Sequence, residues 1–321
     1  VSVSVVVPVY NSEASLPLLV QRLRPVLAAA HRRFELILVN DGSADRSWNV
    51  IEGLASCENW IRGINLMRNY GQHNALLCGI RAARHDIVVT IDDDLQNPPE
   101  EIPRLLAKLD EGYDVVYGSP RQQAHGFLRH IASIITKIAL RRAMGVQTAR
   151  QVSAFRAFRT NLREAFSAYR GPFVSIDVLL TWGTSRFAAI PVRCDPRLLG
   201  ASQYTVGKLI AHALNMMTGF STLPLQMASI IGFGFTLVGI LALFYVLARY
   251  VLEGGSVPGF PFLASMIAIF SGAQLFALGV FGEYLARMHF RMMDRPSYAV
   301  RELSPAPESL PHEAPAQVQP H

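Results

Sequence analysis

The chain has 321 residues, half of them hydrophobic and only 17% charged, with a formal net charge of +6. Ordinary soluble domains carry about 25% charged residues, and the shortfall is local: between residues 209 and 286 only Arg249, Glu253 and Glu283 are charged. This composition excludes disordered, collagen-like and disulfide-rich classes, and Cys57, Cys78 and Cys194, odd in number and without a Cys-x-x-Cys pair, indicate neither a disulfide framework nor a zinc site.

Val1-Ser2-Val3-Ser4 has no basic segment and reads directly into a strand, so no cleaved signal is expected. A β-branched strand over 3–9 precedes a helical pattern from Ser12 to Ala30. A second strand, Phe34 to Val39, ends at Asn40-Asp41-Gly42-Ser43, after which Asp45 caps a helix to Cys57. Strand Ile61–Met67, helix 71–84, strand Asp86–Ile91, helix 98–111 and strand Asp114–Tyr117 continue the alternation. Such alternation predicts a largely parallel, twisted α/β sheet. Ligands on these sheets bind beyond the carboxyl ends of the strands. Attention therefore falls on Pro8–Asn11, Asn40–Ser43 and Asp92–Gln96.

The pattern changes over 126–145, where Phe127, Ile131, Ile134, Ile135 and Ile138 share a helical face flanked by Arg129, Lys137, Arg141 and Arg142. This reads as an interfacial amphipathic helix or, equally, as a surface helix packed on the sheet. A second amphipathic segment, 205–223, stands before two apolar runs. Leu209–Ala248 and Gly254–Gly282 contain no formal charge, and Pro224 divides the first. A bilayer core takes about 20 apolar residues per helix, so 224–286 holds two predicted transmembrane helices; a buried core hairpin is the alternative. Neither has an ionisable group at its centre, which argues against an ion pathway. Residues 287–321 are a basic segment followed by a Pro-, Ala- and Glu-rich tail, read as disordered from Glu302.

Lys208 precedes the first span; Arg287, Arg291, Arg295 and Arg301 follow the second; the loop 251–258 has no Lys or Arg. The positive-inside rule then places residues 1–204 and the C-terminus in the cytoplasm. Residues 1–208 hold 25 bases against 18 acids. Anionic lipid, a lipid phosphate or a nucleotide diphosphate accounts for this excess as well as nucleic acid does.

Ile91-Asp92-Asp93-Asp94-Leu95-Gln96 is the most informative hexamer. A strand ending in three acids needs a cation or donor groups nearby, because mutual repulsion raises their pKa values. Asp92 and Asp94, with a Gln96 carbonyl, form a hard oxygen set suited to Mg²⁺ or Mn²⁺ bound together with substrate phosphates. The alternative is a solvated acidic loop capping the helix after Pro98-Pro99.

With Val7-Pro8-Val9-Tyr10-Asn11, Asn40-Asp41-Gly42-Ser43 and Arg68-Asn69-Tyr70-Gly71-Gln72-His73-Asn74, this Asp-x-Asp hexamer resembles the family 2 glycosyltransferases of GT-A, Rossmann-like fold. Within them the chain is similar to the polyisoprenyl-phosphate glycosyltransferases, which include dolichyl-phosphate mannose synthase and the undecaprenyl-phosphate aminoarabinose-type transferases. The run Asp94-Leu95-Gln96-Asn97-Pro98-Pro99-Glu100-Glu101-Ile102-Pro103 is especially like the latter. The resemblance implies that Pro8, Tyr10, Asn11, Glu13, Asp41, Asp92 and Asp93 hold the nucleotide. It implies a metal held by Asp92, Asp94 and Gln96, and catalytic roles for Asp92, Asp94, Arg121, Arg129 and Arg156; Arg121 and Arg129 serve the acceptor phosphate, and Arg156 matches a family arginine. Arg197, Ser202, Gln203 and Tyr204 match a loop that closes on phosphates.

The implied activity is inverting transfer of a sugar from a nucleotide donor, UDP rather than GDP, to undecaprenyl phosphate at the bacterial inner membrane, by a homo-oligomer without nucleic acid. The chain departs from the family pattern at Gln203, which cannot neutralise a phosphate as Lys would. It departs also at Pro196, at Ser12 where Glu is common, and at Arg150-Gln151 where an acid is usual. A processive polysaccharide synthase would share the acidic site, but none of Trp48, Trp60 or Trp182 is preceded by Arg as its acceptor motif requires. A membrane-anchored nucleotide-sugar-binding protein without turnover is the third reading. No Gly-x-Gly-x-x-Gly follows the first strand, which disfavours a dinucleotide oxidoreductase.

Overall fold

In the computed structural model the described residues are 2–29, 33–120, 152–171, 174–196, 223–253, 259–293 and 295–304. They divide into a sheet-containing unit and a unit containing two long helices.

The sheet unit begins with β1 (Val3–Val9), α1 (Leu16–Ala29), β2 (Phe34–Asn40), α2 (Ser47–Cys57), β3 (Ile61–Leu66), α3 (Gln72–Ala82) and β4 (Ile87–Thr90). A 3-10 turn at Pro99–Glu101 leads into α4 (Ile102–Asp110), then β5 (Val115–Pro120) and β6 (Arg156–Arg159). A second 3-10 segment, Thr160–Phe166, precedes α5 (Ile176–Gly183) and β7 (Phe187–Val192). The strand β8 (Val300–Ser304) comes from the far end of the chain.

The eight strands form one sheet in the order β7-β5-β6-β4-β1-β2-β3-β8. β1 pairs in parallel with β2 and β4, β2 with β3, and β5 with β7. β6 is antiparallel to β4 and β5, and β8 to β3. The sheet is thus mostly parallel, as expected, with antiparallel strands inserted at β6 and added at the β8 edge. Every residue of β1 is buried, the signature of a central parallel strand covered on both faces. In α1 the buried residues Leu16, Leu19, Val20, Leu23 and Leu27 follow helical spacing and seat the helix on the sheet.

Chain order reverses at β1, whose neighbours are β2 on one side and β4 on the other. The carboxyl ends of β1 and β4, at this reversal, are where such sheets take ligands.

Several boundaries differ from the sequence reading. α1 starts at Leu16 rather than Ser12, because Ser12 to Ser15 form a turn in which the Ser12 carbonyl accepts the N–H groups of Ser15 and Leu16. The helix expected over 98–111 is split between the 3-10 turn and α4 by the prolines at its start. Glu302 to Ser304, read as the start of a disordered tail, are instead part of β8, because the open edge of β3 supplies their backbone partners.

In the second unit, α6 (Leu223–Glu253) and α7 (Phe260–Met292) contain apolar windows at Leu225–Ala248 and Ile269–Ala286, neither of them buried. At about 1.5 Å per residue each helix exceeds the ~30 Å of a bilayer core. Phe235 meets Phe270 edge-on, with ring centroids 6.0 Å apart, while large side chains such as Ile230, Phe233 and Leu243 face outward. A core hairpin would bury those faces, so the two helices are candidate membrane spans.

Candidate functional site

Three loops are bound to one another at the carboxyl ends of the first strands. After β1, Asn11 adopts a left-handed φ of 53°. Its N–H donates to Ser43 Oγ at 3.0 Å, and its side-chain oxygen accepts the Ala44 N–H at 2.8 Å. Glu13 and the turn after β2 brace each other reciprocally: Glu13 N–H donates to Asp45, and Arg46 N–H donates to Glu13. Pro8 is buried within β1, whereas Tyr10 is 41% exposed. Of the residues expected to meet a nucleotide, Tyr10, Asn11 and Glu13 are exposed, and Asn11 and Glu13 also shape the loops.

Asp41 is 3% exposed. Its two oxygens accept the backbone N–H groups of Tyr70 at 2.7 Å and Gly71 at 2.8 Å. Burial pushes its pKa up, and these two donors oppose the rise. Asp41 therefore fastens the loop after β3 to the turn after β2. Gly42, at φ +65°, completes that contact: a Cβ there would lie 2.5 Å from the Arg68 carbonyl carbon and the Asn69 nitrogen.

Across the crevice the three aspartates separate by role. Asp92 accepts a hydrogen bond from the Gln72 side chain at 2.7 Å. Asp93 turns inward, accepting the Ser12 hydroxyl at 2.5 Å and the Tyr10 N–H at 3.3 Å. Burial pushes its pKa up to about 6; Ser12 and Tyr10 oppose this, and the Asp94 charge adds to it. Asp94 accepts the Gln96 N–H at 3.1 Å. Buried Leu95, at φ 61°, makes the sharp reversal between them.

The Gln96 main-chain oxygen accepts the Asp195 N–H at 2.8 Å, so the side-chain oxygen of Gln96 is the better candidate for a ligand. Among the described residues no three His, Cys, Asp or Glu side chains gather as a metal-binding group. Asp92, Asp94 and an amide oxygen remain, and two carboxylates completed by substrate phosphates are the donor set that a hard divalent cation accepts.

Arg156 lies in β6, opposite Thr90 of β4 and Tyr117 of β5. It is 1% exposed. Its guanidinium pairs with Asp177 at the start of α5, and its Nε donates to Thr90 Oγ1 at 3.2 Å. The Tyr117 hydroxyl also donates to Asp177. Arg156 is thus enclosed among Thr90, Tyr117 and Asp177, with Thr90 two residues before Asp92 in the chain. Arg121, Arg129, Arg197, Ser202, Gln203 and Tyr204 lie outside the described residues.

Three residues with clear places here carried no role in the sequence: Ser12, Gln72 and Asp177. Gln72 lies inside the quoted Arg68–Asn74 motif, and its position at the start of α3 was the available signal. Asp177 becomes visible only once β6 and α5 are packed together.

A family model described as "Glycosyl transferase family 2" matches residues 4–169. The undecaprenyl-phosphate 4-deoxy-4-formamido-L-arabinose transferase of Shewanella sediminis (strain HAW-EB3) is 39% identical over 305 residues, 94% of this chain and 92% of its own. The proteins of the same description from Pseudomonas aeruginosa (strain LESB58) and Proteus mirabilis (strain HI4320) are each 36% identical. They cover 96% and 94% of this chain, and 92% and 93% of their own lengths. Among solved structures, glucosyl-3-phosphoglycerate synthase from Mycobacterium tuberculosis in complex with Mn²⁺, UDP and phosphoglyceric acid is similar with a TM-score of 0.50. Its sequence is 22% identical, with 68% of this chain and 76% of that chain covered, a likeness of fold.

Proposed function

The chain belongs to glycosyl transferase family 2, and from that membership we propose that it moves a 4-deoxy-4-formamido-L-arabinose-type sugar from a UDP donor to undecaprenyl phosphate. The observation that carries this reading is the crevice between β1 and β4, where Asp92 and Asp94 stand across from loops fastened by Asp41, Asn11 and Ser43. The relatives named for that transfer match more than nine-tenths of both lengths, which supports the acceptor and sugar. UDP follows from the resemblance to the bacterial transferases.

Asp92, Asp94 and the Gln96 side chain would hold Mg²⁺ or Mn²⁺, which supplies charge neutralisation on a departing diphosphate. Tyr10 is placed to pack on a nucleoside at the mouth of the crevice. Asp41 and Gly42 hold the Arg68–Gly71 loop at its rim. Asp93 fixes Tyr10 and Ser12 relative to the acidic turn, so that donor loop and acidic turn move as one piece. A lipid monophosphate is already an anionic nucleophile at neutral pH and needs positioning rather than a general base. Direct attack on the anomeric carbon forms the new C–O bond as the bond to the diphosphate breaks, inverting the configuration.

The proposed organisation is a cytoplasmic catalytic domain over 1–204, with 126–145 and 205–223 at the interface, two spans within 224–286, and a basic cytoplasmic segment from 287. β8 joins this last segment to the catalytic sheet. Strands β7 and β8 belong to one sheet, so the chain between residues 192 and 300 crosses a bilayer an even number of times. That supports a single side for the domain and the C-terminal segment, and flanking Arg and Lys support the inner-membrane cytoplasmic face.

The test uses full-length protein in detergent with undecaprenyl phosphate, Mg²⁺ or Mn²⁺ and radiolabelled UDP-sugars. Label should enter the lipid phase as a monosaccharide, and Asp94→Ala should abolish its transfer. Label confined to water with every donor would overturn the reading, as would growth of a long polymer. Nucleotide binding without product under any acceptor would favour the non-catalytic alternative.

A further inference from the structure

Beyond the acidic turn, one row of side chains crosses three strands and ends at the donor loop. Asn40 of β2 is the register partner of Asn65 in β3, and Asn65 is that of Glu302 in β8. The row is hydrogen-bonded from end to end. Asn65 Nδ2 donates to Glu302 Oε1 at 2.6 Å, and Asn40 Nδ2 donates to Asn65 Oδ1 at 2.8 Å. The Ser43 N–H then donates to Asn40 Oδ1 at 3.4 Å. Ser43 Oγ in turn accepts the Asn11 N–H.

The polarity of the row has a cause. An ionised carboxylate only accepts hydrogen bonds, so Glu302 draws the NH₂ group of Asn65 toward itself. That leaves the Asn65 oxygen facing Asn40, which turns its own NH₂ group toward Asn65 and its oxygen toward Ser43. Reversing either amide would set donor against donor. Asn40 and Asn65 are 3% and 6% exposed, where an unmatched polar group is expensive and a chain of hydrogen bonds polarises cooperatively.

β8 is itself well anchored. Met67 N–H donates to the Ala299 carbonyl, Arg301 donates to the Met67 carbonyl, and Ser297 exchanges hydrogen bonds with Gly171.

We propose that Glu302 is a positioning residue for the nucleotide donor: through Asn65 and Asn40 it holds the turn at Ser43, and with it Asn11, in the binding conformation. The proposal rests on the functional reading above and adds a residue from beyond the membrane spans to the donor site. By it, a segment translated after both spans tunes donor affinity without touching the donor.

The experiment uses full-length protein in detergent and compares Glu302→Ala, Glu302→Gln and, as a control on the same strand, Leu303→Ala. Two readouts are taken: amide hydrogen exchange over residues 40–46, and KM for the UDP-sugar separately from kcat. Glu302→Ala should speed exchange at Ser43 and raise the donor KM by about fivefold to tenfold, the loss expected for one typical hydrogen bond. Its kcat should stay within about twofold. Glu302→Gln, whose amide oxygen still accepts from Asn65, should recover most of both effects, and Leu303→Ala should show neither. Unchanged exchange and unchanged KM in Glu302→Ala would overturn the proposal. If the wild-type protein transfers no sugar, the functional reading fails; the proposal as stated then falls with it, and exchange at Ser43 reports whether the row still holds the turn.

Discussion

The guanidinium of Arg156 is locked against the carboxylate of Asp177 inside the sheet, with Thr90 and the Tyr117 hydroxyl completing the cluster. Burial, then the Asp177 charge, drives the Tyr117 pKa well above its ordinary value. Removing one partner of a buried ion pair costs about 3–5 kcal/mol, because the other charge is stranded. Arg156→Met should therefore destabilise the protein by about that amount in chemical denaturation. The double change Arg156→Met with Asp177→Leu should lose much less. Equal losses in the single and double variants would show that the pair is not the source.

Asp41 ties two loops through two backbone donors. Asp41→Ala leaves both N–H groups without that partner and should destabilise the protein by about 1–3 kcal/mol. Asp41→Asn keeps one acceptor oxygen and removes a charge that burial disfavours, so its loss should be smaller. Thermal unfolding of the two variants side by side reads the order.

Two glycines separate backbone strain from crowding. Gly71, at φ +97°, has nothing within 4 Å of the place a Cβ would take, whereas Gly42 has both a positive φ and the Arg68–Asn69 backbone in the way. Gly71→Ala should lose about 1–3 kcal/mol from the backbone alone, because φ +97° with ψ 151° is a conformation essentially confined to glycine. Gly42→Ala should lose a further ~1–3 kcal/mol from overpacking and weaken UDP binding more, as measured by calorimetry.

At the opposite ends of the strands, Glu35 accepts the Ser4 hydroxyl and the Arg84 N–H, each at 2.7 Å, and Arg62 at 2.9 Å. Burial alone would raise its pKa; the three donors and the Arg62 charge outweigh burial and hold it below the ordinary 4.5. Its folded state thus binds its proton less readily than its unfolded state. The stability it contributes is present above pH 4.5 and is lost as pH falls through the depressed value. Glu35→Gln should be less stable at neutral pH by about 1–3 kcal/mol, and the gap should close on acidification. Urea midpoints measured from neutral to acidic pH follow it.

The strands from β1 to β5 were legible because apolar runs alternate with helical periods and end at turn residues, and the acidic turn was legible because three aspartates cannot continue a buried strand. Strand β6 was not. Arg156 and Arg159 bound its four residues, and only a counterion on α5 makes a buried arginine tenable there. Nor was β8, since Val300-Arg301-Glu302-Leu303 reads as exposed polar chain until the edge of β3 offers it a partner. Within the triplet, the two-residue spacing set Asp92 and Asp94 apart as the metal pair and left Asp93 with the nucleotide, without showing what it would bind. The left-handed Leu95 and the Ser12 hydroxyl assign the inward place to Asp93, and no periodicity encodes that choice.

Because β8 follows both apolar helices in the chain, it leaves the ribosome after the other seven described strands. Until then Ile61–Leu66 shows a row of backbone donors and acceptors without a neighbour, the kind of edge that recruits other chains. A polypeptide cut short or stalled within the two apolar helices keeps that edge, and keeps Asn65 without its carboxylate. Completion of the eight-stranded sheet is thereby made conditional on synthesis of both apolar helices.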